Sequence, residues 1–317
     1  MYFSNSRKVQ WWKLENHSKL DTILPLLSLD YTEEDEAISL EHGWYSFETN
    51  IPFNKSIKNF KVDQTSGRFL PVLAKIDLLQ VKEDWLDRVP KEIAIAPNYF
   101  PVIFVECNGA IHVIVSAASN CFSRIRTKIM KICGKNNIWG RIEAAPHNLD
   151  RSFFYWLMYK KGNQIKLGVE DFVLKDVVGF RSSTEKNKHK YKGSGQGIDT
   201  EVPVQAMVCL NNNFSGLDLV LTNTNSNIVF SLAENWEVKV EFTKCHKLNM
   251  TVFESFDDCE LLLKIFLQII PGMVQQNNAD KLWPQQESRF RQNVGLKAIK
   301  EIMEENGITM SHIQEIC

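Results

Sequence analysis

The chain is poor in the features that announce a function directly. No Cys-x-x-Cys pair occurs, and the seven cysteines are odd in number and widely spaced (Cys107, Cys121, Cys133, Cys209, Cys245, Cys259 and Cys317). That pattern excludes a zinc finger or a disulfide framework and fits reduced thiols in a cytoplasmic setting. The seven histidines include no His-x-x-x-His spacing, and no Gly-x-Ser-x-Gly elbow is present. No apolar run is long enough to span a bilayer. The most apolar stretch, Leu261 to Val274, is broken by Lys264, Gln268 and Pro271, so no membrane partner is expected. The amino terminus shows no signal-peptide core. Charge of one sign is also lacking. A formal net charge of -1 over 317 residues means that any polyanion must be held by a local patch.

Local basic patches are what the chain does have. Arg124, Lys128, Lys131 and Lys135 recur at spacings of four, three and four, with Arg126 nearby. On an α-helix of 3.6 residues per turn these four fall in one sector, while Phe122, Ile125, Ile129, Ile132 and Cys133 fall on another. A second basic element is Lys186-Asn-Lys-His-Lys-Tyr-Lys192, followed by Gly193, Gly195 and Gly197. Lys186, Lys188, Lys190 and Lys192 suit phosphate, Tyr191 suits base stacking, and the glycines let the backbone approach a ligand. The Gly-Ser-Gly-Gln-Gly run is neither a Walker nor a Rossmann loop, because no Gly-Lys-Ser/Thr follows and the next element reads as a strand.

The apolar pattern points to an α+β fold. The expected arrangement is a mixed α/β N-terminal subdomain at 1–181, a polar Lys/Gly-rich loop or linker at 182–200, and an antiparallel β meander closed by C-terminal helices at 201–317. Strands are expected at Val9–Leu14, Trp44–Ile51, Phe69–Leu79, Val102–Val105, Ile111–Val115, Phe172–Arg181 and Val204–Leu210. The meander continues through Leu217–Leu221, Ile228–Leu232, Glu237–Phe242 and Leu248–Phe253. Asn108-Gly109 is the strongest hairpin signal, because both residues tolerate positive φ. Asp150 is placed to cap a helix from Arg151 to Lys161. Asp257 or Asp258 caps a helix that Pro271-Gly272 should end, and a last helix should run from Gln285 to Asn306 with Gly307 beyond it. The consecutive aromatics Phe153 to Trp156 read as core.

One catalytic pattern is present. Asp218 and Glu237-Val-Lys239 lie on separate expected strands. The pattern resembles the PD-(D/E)xK nuclease superfamily on those three residues. The resemblance implies that Asp218 and Glu237 hold Mg²⁺ while Lys239 activates the attack. Strand alternation accounts for the same charges, since Glu237, Lys239 and Glu241 interleave with Val238, Val240 and Phe242. Cys245 and His246 are adjacent on a strand and point to opposite faces, and His147 is a loop histidine with no chemical partner in sequence.

The function expected is therefore binding without a cofactor. The partner is nucleic acid or another polyanion, held by the basic helix and the lysine loop. The alternatives are a metal-dependent nuclease and a protein-interaction subunit with an acidic partner. No residue set establishes catalysis.

Overall fold

The computed structural model describes residues 3, 7–34, 39–48, 51–81, 85, 88–130, 138–143, 149–184, 189–248 and 253–314. The fold is α+β, and every strand pairing described below is antiparallel. The chain divides into two compact units: Met1–Pro146 with Asp257–Leu267, and His147–Phe256 with Gln268–Cys317.

The first unit opens with β1 (Lys8–Leu14), α1 (Leu20–Leu27) and the short pair β2 (Glu33–Glu34) and β3 (Ser39–Leu40). β4 (Gly43–Ser46), β5 (Lys58–Val62) and the long β6 (Thr65–Leu79) follow. Then come α2 (Lys91–Ala94), β7 (Ile95–Cys107), β8 (Ala110–Ala117), α3 (Cys121–Arg124) and β9 (Ile142–Glu143). The sheet order is β1-β8-β7-β6, with β4 and β5 paired to different stretches of β6 and β9 paired to β1. Alternate residues of the central strands (Val72, Val102, Phe104, Val113, Val115) face a core that Ile23, Phe122, Ile125 and Ile129 complete from the helices. Burying each such side chain contributes roughly 1.5–3 kcal/mol. The β7–β8 turn is Asn108-Gly109 with φ of 49° and 72°, the geometry a type I′ hairpin requires.

The second unit begins with α4 (Arg151–Lys160), whose Asp150 cap accepts a hydrogen bond from the Phe153 amide at 2.8 Å. β10 (Gln164–Leu167), β11 (Glu170–Ser183), β12 (Lys190–Ser194) and α5 (Val202–Cys209) follow. The meander is β13 (Asn213–Thr222), β14 (Ser226–Ala233) and β15 (Val238–Val240), with β16 (His246–Leu248) on β14 and β17 (Phe253–Ser255) on β16. The chain then returns to the first unit as α6 (Asp258–Lys264). It ends in the second unit with α7 (Ile270–Ala279), α8 (Trp283–Asn306) and α9 (Met310–Gln314). α4 is buried nearly all round. Its Tyr155 hydroxyl donates to the Asn212 carbonyl at 2.6 Å, and Trp283 of α8 donates its indole N–H to Ser152 Oγ at 3.0 Å.

Three local expectations change. The expected strand Val204–Leu210 is instead most of helix α5, with Leu210 just past its end; Pro203 sits in the first turn, where its fixed φ favours a helix. Pro271 does not end its helix. It follows a π-helical turn, Ile265–Ile269, and stands in the first turn of α7, where no amide hydrogen bond is required of it. Within 182–200, the described residues 190–194 form strand β12 rather than open loop, and the segment lies inside the second unit.

Candidate functional site

β12 is a polar strand, yet its backbone pairs fully with β11: Lys190 opposes Ser183, Tyr191 opposes Ser182, Lys192 opposes Arg181 and Ser194 opposes Gly179. Polar, lysine-bearing strands suit a sheet edge, where charge blocks further pairing. Among the described residues β12 pairs only with β11, whose own next neighbour is β13. The register gives three lateral rows: Lys190, Ser183 and Asn213; Lys192, Arg181 and Gly216; Ser194, Gly179 and Asp218.

Side chains alternate across a sheet, so Lys190 and Lys192 share one face and Tyr191 takes the other. The glycines make this face flat. The Arg181 guanidinium lies over Gly216, with Nη2 2.7 Å from where a Cβ would stand. The Asp218 carboxylate occupies the space over Gly179, and the Phe180 ring presses on Gly193 from the opposite side. Among the described residues, no carboxylate lies within ion-pairing distance of Arg181, Lys190 or Lys192.

Beside Lys190 the face opens into a cleft of about 570 Å³, lined by Asp150, Arg151, Ser183, Thr184, Asn213 and Glu234. Arg151 is already held there, with Nη1 donating to the Asn211 carbonyl at 3.4 Å. The Asn211 side-chain amide, turned so that its oxygen faces the guanidinium, accepts from both Nη atoms at 3.2 Å. The cleft therefore offers Lys190, Ser183 and Thr184 from β11–β12, Arg151 and Asp150 from the start of α4, and Glu234 from the turn after β14.

The basic helix is built differently from the regular stripe expected. Cys121–Arg124 is α-helical, but Ile125–Ile129 is a π-helical turn. Its i→i+5 bonding widens the turn, so residues four apart no longer stack. Arg124 and Arg126 are exposed. Arg126 sits 5.9 Å from the centre of the Trp12 ring, and Lys128 is paired with Glu33. Lys131 and Lys135 lie outside the described residues, as do Lys186, Lys188 and His147.

Asp218, Glu237 and Lys239 are not brought together. Asp218 and Lys239 both flank Ser231, on opposite sides of β14. Their backbones are thus two strand spacings apart, about 10 Å. The Asp218 carboxylate leans away from that strand, over Gly179, while the Lys239 ammonium lies 3.6 Å from Glu241. Glu237 stands at the turn before β15, where its amide donates to Asn235 Oδ1 at 3.2 Å. Among the described residues, no three His, Cys, Asp or Glu side chains are grouped to hold a metal ion.

A polar cluster in the first unit escaped the sequence reading. Lys75 and Asp77 on β6 are more than nine-tenths buried, with Lys75 Nζ 3.1 Å from Glu41 and 3.6 Å from Asp77. Burial works against the Lys75 charge, but the Glu41 hydrogen bond and neighbouring charges outweigh it and hold its pKa above that of ordinary lysine. His42 Nδ1 accepts the Asp77 amide at 3.3 Å, which leaves the proton on Nε2, 3.7 Å from Glu33. Burial pushes the His42 pKa down. The signal was present in sequence as two charges inside the apolar run Phe69–Leu79.

The chain matches no protein-family model and no curated protein, so this geometry is the basis for any functional reading. Among the described residues, no helix is long and apolar enough to cross a membrane.

Proposed function

We propose that the chain binds nucleic acid or another polyanion, with the β11–β12 face of the second unit as the main contact surface. One observation carries the reading: Arg181, Lys190 and Lys192 share one face of two paired strands without a counter-carboxylate among the described residues, and Lys190 lines an open cleft. Like charges placed opposite one another destabilise a sheet, and phosphate relieves the repulsion. Ser183, Thr184 and Asn213 add neutral donors suited to phosphate oxygens. Arg124 of the basic helix is a secondary contact, since Lys128 is engaged with Glu33. Tyr191 stacks on a base only if the strand wraps the sheet edge, because it faces away from the two lysines. Binding of this kind needs no cofactor. The setting is the cytosol, in keeping with the free cysteines among the described residues, of which Cys107, Cys121, Cys245 and Cys259 are buried.

The test is fluorescence anisotropy with single-stranded and duplex oligonucleotides and with polyphosphate, over a range of salt. Each phosphate contact contributes about 0.9 to the slope of log affinity against log salt on duplex DNA. Lys190→Ala with Lys192→Ala should lower that slope by about two and weaken binding to all sequences alike. Affinity that is insensitive to salt and to both substitutions would remove the proposal.

A further inference from the structure

A cavity of about 230 Å³ lies within the second unit, between α4, α5, α8 and the 3₁₀ turn Ile198–Thr200. Met158, Val208, Phe290 and Val294 give it an apolar wall, and the Tyr159 ring meets the Phe290 ring edge-on at 5.7 Å. Its polar lining is Asp199, Thr200, Gln205 and Lys297. An apolar cavity of ~150 Å³ holds benzene, so this one takes an aromatic or branched side chain with a few polar atoms. It falls short of the ~300–1,000 Å³ that larger organic ligands occupy.

The polar groups divide into a negative end and a positive end. Lys161 bridges Asp176 and Asp199, all three mostly buried. One ammonium between two carboxylates leaves a single negative charge, and Asp199 brings it to the cavity lining. Gln205 belongs to the same lining and is more than nine-tenths buried. Its Nε2 donates to the Thr200 carbonyl at 2.5 Å, which fixes the amide, and its Oε1 has no partner among the described residues. A buried acceptor left unpaired is costly and calls for a donor. Lys297 is the opposite case. Among the described residues this ammonium pairs with no carboxylate, Asp199 included.

A ligand that meets every demand carries an ammonium, a carboxylate and an apolar body. A plain carboxylic acid leaves Asp199 and Gln205 unanswered. A plain amine leaves Lys297 unanswered. We infer that the cavity binds a free α-amino acid with an apolar side chain, of the size of leucine, methionine or phenylalanine. Its ammonium donates to Asp199 and to Gln205 Oε1, and its carboxylate accepts from Lys297. Its side chain lies on Val208, Phe290 and Val294. The α-carbon is the point from which the three groups diverge, and the ligand's two charges offset those of the two ends.

Isothermal titration calorimetry on the full chain tests this, with L-leucine, L-methionine and L-phenylalanine as probes. Each is compared with the amine that lacks its carboxylate and the acid that lacks its ammonium. At least one amino acid should bind at one site with a dissociation constant below about 1 mM, and its amine and acid at least about tenfold more weakly. Lys297 is exposed, so Lys297→Met should leave the far-ultraviolet circular dichroism unchanged. It should weaken the amino acid about tenfold and leave the amine where it was. Gln205→Leu should weaken the amino acid and the amine but not the acid. Failure of all three amino acids to bind below about 1 mM would overturn the inference. So would an acid or amine that binds as tightly as its amino acid, or amino-acid binding that survives Lys297→Met.

Discussion

Arg181 and Lys192 stand directly opposite each other on neighbouring antiparallel strands. Two cations in that relation cost stability, typically a few tenths of a kcal/mol. Lys192→Glu should therefore raise the unfolding free energy by about 0.5 kcal/mol, seen as a higher urea midpoint with an unchanged slope. The same variant should bind anionic oligonucleotides more weakly. A substitution that stabilises the fold and weakens binding would mark Lys192 as a residue kept for its ligand. A destabilised Lys192→Glu would contradict this account of the face.

His112 offers a pH prediction. Burial, and then the nearby Lys13 charge, push its pKa down to about 4. Its ring stacks on Trp11 with centroids 4.5 Å apart, and its buried Nδ1 has no hydrogen-bond partner among the described residues. The folded value lies below the unfolded value of about 6.5, so folding selects the neutral imidazole. Its contribution is complete above about pH 6.5 and is lost as pH falls toward 4, a change of about 3 kcal/mol. Unfolding free energies measured across that window should decline, and His112→Phe should flatten the decline.

Lys161 bridges Asp176 at 2.9 Å and Asp199 at 2.6 Å, all three mostly buried. Burial would raise the Asp176 pKa, but the Lys161 hydrogen bond and the Gly197 amide outweigh it and hold the pKa below the usual carboxylate value. Stability from Asp176 is thus present above about pH 4 and fades as pH drops through its folded value. Lys161→Met should cost about 3 kcal/mol, because two buried carboxylates lose their counter-ion. Adding Asp176→Asn and Asp199→Asn should return part of that loss in thermal melts.

Two glycines should respond differently to alanine. A Cβ at Gly67 would overlap the Glu106 carbonyl on the adjacent strand, and backbone there has no room to yield. Gly67→Ala should cost about 2 kcal/mol. Gly109 has open space but a φ of 72°, so Gly109→Ala should cost about 1 kcal/mol from backbone strain alone. Urea denaturation of both variants checks the order.

Local chemistry made much of the fold legible in advance. Asn108-Gly109, Asp150, Asp257 and Gly307 each perform the turn or cap that their side chains or φ freedom favour. What stayed hidden depends on pairing and packing. Valines in Val202–Cys209 favour strands, yet contact with α8 and a first-turn proline make a helix. The π-helical turns at Ile125–Ile129 and Ile265–Ile269 leave no mark in composition. For the candidate site, the lysines of 190–192 were visible, but their face was not. Only the register with β11 reveals that Arg181 and Ser183 join them and that Tyr191 does not.

The first unit draws one of its pieces, Asp257–Leu267, from late in the chain, and Phe266 of that piece stacks on Trp11 at 5.5 Å. A ribosome making this protein must add 121 residues after Pro146 before Leu267 exists (267 minus 146). At roughly 5–20 residues per second, that is a wait of about 6–24 s. During it, the second unit's first strands are already emerging. The amino-terminal unit is therefore completed only late in synthesis although it is the first to be started, and the Trp11 face that meets Phe266 stays uncovered meanwhile. Holdase chaperones that recognise exposed aromatic strands have their longest opportunity on this nascent chain there.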